Sequence, residues 1–227
     1  MTPRSTFRFL GLLTALGLGL TALAVDGATL SPPAAVPSVA LGPEQRADLT
    51  RIQDYLNGIT TLKAKFDQFA PDGSISSGSF ILQRPGHLRF DYDPPSEVLV
   101  VADGYWLTMV DAHVRQMSRW PINDTPLGVL VKDDIDLEQD VDILGLEDSG
   151  GILRLTVADK KEPGKGRMTL VFTKAPLELR QWRVIDAQSQ ITTVTLTDTR
   201  QNVAVDPNAF TYVDPRPYKP FKPGPRK

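Results

Sequence analysis

Apolar and polar residues alternate along most of the chain, which predicts a protein built mainly from β-strands. In the stretch Gly78–Ala102, Phe80 and Leu82 share one face of a strand, and Leu88 and Phe90 continue an apolar face after a Pro-Gly turn. Similar alternation recurs between about residues 62 and 199, interrupted by short turns. We therefore expect about eleven strands in one large antiparallel sheet, arranged in sequential order.

Two short helices are predicted beside these strands. Residues 44–58 carry apolar side chains at steps of three and four, which is typical of a helix with one apolar stripe. Asp124 or Thr125 can cap a second, shorter helix that has Pro126 at its first position. The apolar sides of the two helices consist of Leu49, Ile52, Leu56, Leu127 and Leu130.

The apolar faces of the strands predict the interior. A sheet of about eleven strands must curl, close or split, and two short helices cover it poorly. We therefore expect a cavity for an apolar guest, although a well-packed core would give the same pattern. The predicted inner face consists of Phe66, Phe80, Leu82, Leu88, Phe90, Leu155, Leu170, Phe172, Trp182 and Leu196.

One charged residue breaks this pattern. Arg84 is in phase with Phe80 and Leu82, so its charge is aimed at the face that should be dry. An unpaired buried charge is very costly, and the carbonyls at a helix end are suitable partners. The alternative is that Arg84 lies at the end of a strand with its guanidinium in water.

Composition and charge exclude several kinds of chemistry. The 227 residues carry a formal net charge of −2, so no basic surplus indicates nucleic-acid binding. The absence of cysteine excludes disulfides, thiol catalysis and thiolate zinc sites. The two histidines, His87 and His113, have no catalytic motif around them, so surface positions are favoured over an enzyme. The acidic residues between Asp133 and Asp142 lack a glycine-turned calcium loop, which favours a solvated face over calcium binding.

The two termini read as segments outside the domain. Residues 1–24 combine Arg4 and Arg8 with an apolar run and a small-residue cleavage site, which predicts a cleaved Sec-type signal peptide and a location in the periplasm. An uncleaved membrane anchor is the alternative. We expect a Pro/Ala-rich linker at 25–43, the domain at 44–213 and a basic, proline-rich tail at 214–227, which is disordered or docks a partner.

An ordered set of short motifs resembles a known family. Between about residues 49 and 212 the chain contains, in order, Phe66-Asp67-Gln68, Gly78-Ser79-Phe80, Gln83-Arg84-Pro85-Gly86-His87-Leu88-Arg89-Phe90, Ala102-Asp103-Gly104 and Thr125-Pro126-Leu127. This succession resembles the LolA family, the periplasmic carriers of outer-membrane lipoproteins in Gram-negative bacteria.

The resemblance implies a fold, a function and a role for one residue. The fold is an open antiparallel half-barrel of eleven strands with a helical lid over a hydrophobic cavity. The implied carrier is a monomer without catalysis, cofactor or metal. It takes lipoproteins from a LolCDE-type inner-membrane transporter and delivers them to a LolB-type outer-membrane acceptor. Arg84 matches the arginine that hydrogen-bonds lid carbonyls and holds the lid shut without cargo. A carrier or sensor of another lipid, such as the RseB-related stress sensors, is an alternative use of the same fold.

Overall fold

The chain folds as the mainly β protein that its sequence predicts. The computed structural model describes residues 39–212, so the predicted signal peptide, most of the predicted linker and the tail at 214–227 lie outside the described residues. Eleven strands form one antiparallel sheet. The strands are β1 (Thr61–Phe69), β2 (Ile75–Gln83), β3 (His87–Tyr92), β4 (Val98–Asp103), β5 (Trp106–Asp111), β6 (Gln116–Pro121), β7 (Val141–Ser149), β8 (Ile152–Asp159), β9 (Gly166–Lys174), β10 (Leu177–Asp186) and β11 (Ile191–Gln201).

The sheet is sequential except at one junction. Its order is β6-β5-β4-β3-β2-β1-β11-β10-β9-β8-β7, so β1 lies in the middle and pairs with both β2 and β11. The edge strands β6 and β7 follow each other in the chain and are joined by residues 122–140. Because β6 is not paired with β7, this sheet is open along one side.

The register of the strands places apolar residues in rows across the inner face. Ala64 of β1 lies opposite Phe80 of β2, which lies opposite Phe90 of β3, which in turn lies opposite Val100 of β4. All four side chains are buried. Their neighbours along each strand point to the opposite face, where all but Val101 are at least partly exposed. Side chains with period two thus produce the dry face that the alternation predicts.

Short helices lie at the start of the domain and between the edge strands. Among the described residues, no helix has the length and apolar character that a membrane span requires. The helices are α1 (Pro43–Asn57), α2 (Gly128–Val131) and α3 (Leu137–Asp140), and single 3-10 turns form at Ile122–Asp124, Pro163–Lys165 and Pro207–Phe210.

The second predicted helix differs from the prediction. Thr125 does not cap it, because its hydroxyl donates to the carbonyl of Ile122 at 2.7 Å. Asp124 belongs to the preceding 3-10 turn, and α2 begins only at Gly128, with no side-chain cap. The prediction of a helix starting at Pro126 is therefore wrong, since Pro126 and Leu127 form a turn and the helix starts two residues later.

The acidic segment is more than a solvated face. Its carboxylates are exposed or half-buried, but Ile135 and Leu137 between them are each only 1% exposed. Asp136 caps α3 by accepting a hydrogen bond from the amide of Gln139 at 3.0 Å. The segment is therefore amphipathic, with acidic residues at its surface and apolar residues in the core.

Candidate functional site

The predicted inner-face residues lie together. We call the ten residues the inner cluster, and every one of them is at most 4% exposed. The rings of Phe80 in β2 and Trp182 in β10 approach to 5.7 Å, and those of Phe90 and Trp182 to 6.2 Å. Strands β2 and β10 are three places apart in the sheet, or roughly 14 Å along a flat sheet. The sheet is therefore strongly curled around this cluster.

The concave side of the sheet is closed by helical residues. We call α1 together with residues 122–140 the cover. The five predicted helix residues, Leu49, Ile52, Leu56, Leu127 and Leu130, are buried in the same hydrophobic core as the inner cluster. Tyr55 of α1 meets Phe172 edge to face, with ring centroids 5.9 Å apart. The apolar stripe of α1 thus faces the sheet.

In this conformation the inner cluster and the apolar residues of the cover pack into one hydrophobic core. Two depressions among the described residues lie elsewhere. One, of about 310 Å³, lies beside the start of α1 and is lined by Arg46, Ile143 and Lys160. The other, of about 220 Å³, lies over β4 to β6 and is lined by Thr108 and Met117. The lipid-sized cavity stays a prediction, and an acyl guest requires that the cover moves.

Arg84 joins the sheet to the cover. It follows β2, and its Nε donates to the carbonyl of Leu130 in α2 at 3.0 Å. Its Nη1 donates to the carbonyl of Leu56, in the last turn of α1, at 2.5 Å. Carbonyls at the C-terminal end of a helix carry partial negative charge and therefore suit a cation. One side chain thus binds both parts of the cover. That these bonds hold the cover shut stays a prediction.

The surroundings of Arg84 are drier than water but do not neutralise it. Burial lowers the pKa of Arg84 from 12.5 to about 10, and the nearby negative charge of Asp133 acts in the opposite direction. The guanidinium therefore stays charged near neutral pH. Charge-assisted hydrogen bonds of this kind are roughly twice as strong as neutral ones.

The turn after Arg84 also contacts the cover. The amide of Gly86 donates to the carbonyl of Val131 at 2.7 Å. Gly86 has a φ of +77°, and a Cβ there would lie 2.6 Å from the carbonyl oxygen of Gly104. The turn therefore needs glycine both for its conformation and for its close approach to the turn between β4 and β5.

Several polar residues of α1 that the sequence did not single out tie this helix to the sheet. The hydroxyl of Tyr55 accepts from the amide of Leu179 at 3.0 Å and from the side chain of Gln201 at 2.7 Å. Gln45 donates to the carbonyl of Leu146 at 2.8 Å. Helical periodicity marks such residues only as polar, and their partners are more than 100 residues away in the chain.

The histidines and carboxylates of the described part offer no metal site. His87 is half-buried on the outer face, with its ring 5.2 Å from that of Phe210, and His113 is exposed in a turn. Across residues 39–212 no three His, Cys, Asp or Glu side chains converge in a way that could hold a metal ion.

Comparison with known proteins identifies the family. The family model described as outer membrane lipoprotein carrier protein LolA matches residues 57–213, which is more than half of the chain. The chain is 30% identical over 191 residues to the outer-membrane lipoprotein carrier protein of Halorhodospira halophila, covering 78% of this chain and 86% of that protein. It is 28% identical over 195 residues to the protein of the same name from Methylococcus capsulatus, covering 79% and 91%.

A solved structure of a LolA superfamily protein from Nitrosomonas europaea is 11% identical to this chain, and the match covers 72% of this chain and 97% of that one. Its TM-score of 0.40 adds nothing to the assignment. The assignment depends on the family model and the curated relatives, and by both the chain belongs to the LolA family of outer membrane lipoprotein carrier proteins.

Proposed function

We propose that the chain is a periplasmic carrier that holds the acyl chains of a lipoprotein between the inner cluster and the cover. The observation that carries this proposal is the pair of hydrogen bonds from Arg84 to Leu56 and Leu130. Arg84 lies on the buried side of the sheet, so an apolar guest that enters there displaces its hydrogen bonds to the cover. The empty carrier is closed by Arg84, and the loaded carrier is open.

The magnitudes are compatible with reversible carriage. Covering an acyl chain of about fifteen methylenes is worth on the order of 12 kcal/mol at about 0.8 kcal/mol each. Each hydrogen bond to a charged group contributes about 1.5–3 kcal/mol. Two such bonds are therefore weaker than the burial of one chain, so cargo opens the cover. They are strong enough to help expel the cargo when an acceptor offers a second apolar site.

The remaining parts of the proposal concern location and partners. Residues 1–24 act as a cleaved Sec-type signal peptide that exports the chain to the periplasm. A LolCDE-type transporter supplies the lipoprotein and a LolB-type acceptor receives it. The chain carries out no catalytic step in this scheme.

The Arg84→Leu variant tests the proposal. It removes both hydrogen bonds from the closed, empty state and leaves the loaded state unchanged, so cargo is retained. We expect a fluorescent triacylated peptide to leave the variant for acceptor-containing vesicles at least about tenfold more slowly than it leaves the wild type. Arg84→Lys is the matched control, since one ammonium does not span both carbonyls but keeps the charge, and should be intermediate.

Release by Arg84→Leu at the wild-type rate would contradict the role of Arg84. The cargo itself is tested by purifying the protein from the periplasm under native conditions and identifying bound molecules by mass spectrometry. Acylated protein supports the proposal. Free phospholipid in place of acylated protein would contradict a lipoprotein cargo and indicate a carrier of another lipid.

A further inference from the structure

Two side chains of α1 bind the backbone of the acidic segment directly. Asn57 uses both ends of its amide, because Oδ1 accepts from the amide of Ile135 at 2.9 Å and Nδ2 donates to the carbonyl of the same residue at 3.0 Å. Nδ2 is also 3.4 Å from the carboxylate of Asp134. The side chain thus pairs with Ile135 as a neighbouring strand would.

Gln53 repeats this contact one helical turn earlier. Its Oε1 accepts from the amide of Leu137 at 3.0 Å. Residues 53 and 57 are four apart and therefore lie on the same face of α1. They bind alternate residues of the segment, Ile135 and Leu137, whose side chains are both buried in the hydrophobic core. The backbone polar groups of the segment therefore point to α1, and its apolar side chains point inward.

The segment that they bind is braced internally. The carboxylate of Asp140 accepts from the amide of Asp136 at 3.0 Å and forms an ion pair with Lys132. Asp136 also accepts from the amide of Gln139, so these carboxylates hold residues 132–140 together from within. One further contact ties the end of the segment to the sheet, because the ammonium of Lys160, directly after β8, donates to the carbonyls of Glu138 and Gln139.

These contacts differ in kind from those of Arg84. Arg84 belongs to the sheet and binds the cover, whereas Asn57 and Gln53 belong to the cover and bind another part of it. Loss of the hydrogen bonds of Arg84 therefore leaves those of Asn57 and Gln53 intact, since the two sets share no donor or acceptor. We propose that Asn57 and Gln53 are positioning residues that join α1 to residues 132–140, so that the cover opens as one body.

Hydrogen exchange on the protein without cargo tests this directly, because single amides report each contact. The amides of Ile135 and Leu137 report the contacts within the cover, and the amide of Gly86, bonded to Val131, reports the contact between sheet and cover. In Arg84→Leu we expect Gly86 to exchange about tenfold faster, with Ile135 and Leu137 unchanged. In an Asn57→Ala, Gln53→Leu double variant we expect the opposite pattern.

Matched variants distinguish the loss of a hydrogen bond between α1 and the acidic segment from a general loss of stability. Gln53→Glu keeps the acceptor for the Leu137 amide and should leave its exchange within about twofold of wild type, whereas Gln53→Leu should raise it about tenfold. If amide exchange of Ile135, Leu137 and Gly86 rose equally in Arg84→Leu, the proposal would be overturned, because the two parts of the cover would then separate when the hydrogen bonds of Arg84 are lost. Unchanged exchange of Ile135 in Asn57→Ala would overturn it as well.

A cargo readout tests the consequence for carriage, and this part alone rests on the proposed function. A cover that no longer closes as one body retains a guest less well. The double variant should therefore release the triacylated peptide several-fold faster than wild type, opposite in sign to Arg84→Leu. If neither variant affects release but the exchange patterns hold, the role proposed for Arg84 in carriage fails and the joined cover stands. Changed exchange with wild-type release in the double variant alone would overturn the link between joining and carriage.

Discussion

At the scale of the residue, Arg84 could be found from sequence and its partners could not. Period two placed its charge on the dry face, and the structure has it half-buried there. Its two acceptors, Leu56 and Leu130, lie 28 and 46 residues away. They are backbone atoms, so no side-chain pattern marks them. The same holds for Asn57 and Gln53, which bind backbone atoms of Ile135 and Leu137 and look in sequence like an ordinary wet face of a helix.

Tyr92 provides a prediction at this scale. Its hydroxyl donates to Oε1 of Gln68, itself 4% exposed, at 2.8 Å. Burial raises the pKa of Tyr92 above its ordinary value of 10.0. Above about pH 10 the unfolded chain therefore loses this proton first and binds fewer protons than the folded chain, so stability falls as pH rises. We expect Tyr92→Phe to cost about 1–3 kcal/mol at neutral pH and to flatten that alkaline loss.

Denaturant unfolding at pH 7 and above pH 10 measures both effects. Tyr105→Phe is the control, because Tyr105 is 65% exposed and its replacement should change the free energy of unfolding by less than about 0.5 kcal/mol. An alkaline loss as steep in Tyr92→Phe as in the wild type would show that Tyr92 does not contribute to it.

At the scale of the element, the apolar pattern was enough for the strands but not for the connection between the edges. About eleven strands are expected and eleven are present. Strands such as β1, β2 and β9 bury every second residue, which the alternation reveals, whereas β4 buries three residues in succession and is predicted from its continuous apolar run. The segment 122–140 contains one 3-10 turn and two four-residue helices. Pieces this short have no period to detect, and their conformation is set by contacts with α1 and Arg84.

Gly78 tests the packing of neighbouring strands. A Cβ at this position would lie 2.0 Å from the carbonyl oxygen of Asp91 and 2.8 Å from a ring carbon of Phe66. Gly78→Ala should therefore force β2 away from β3 and lower the free energy of unfolding by about 2–3 kcal/mol. Gly145→Ala is the matched control in β7, since a Cβ there meets nothing within 4 Å. Thermal unfolding compares them, and equal melting temperatures would disprove the clash.

At the scale of the whole molecule, the number of strands predicts that the sheet curls but not what fills its interior. A sheet of this length cannot stay flat, but its apolar residues fit a filled core and a cavity equally well. The structure has the inner cluster packed under the cover, with Trp182 at its centre and only 1% exposed. The proposed binding of a guest in the interior therefore requires that side chains now in contact separate.

Trp182 reports where the guest lies. In a variant that keeps only this tryptophan, with Trp106→Phe and Trp120→Phe, we expect an acyl chain brominated near its end to quench most of the fluorescence, since bromine quenches on contact. A variant that keeps only Trp106, which lies half-buried with Arg119 over its ring at 5.1 Å, is the control and should be little affected. Equal quenching of both would place the guest outside the inner cluster.

The succession of the edge strands in the chain has a consequence for how this architecture can diversify. All ten strand pairs of the sheet form without β6 and β7 touching each other. The two edge strands are connected only along the chain, by residues 122–140. A longer or shorter connection there would change the gap between β6 and β7 and would disturb no strand pairing. Proteins built on this plan can therefore gain or lose residues at this single place while the eleven-stranded sheet keeps its pairing.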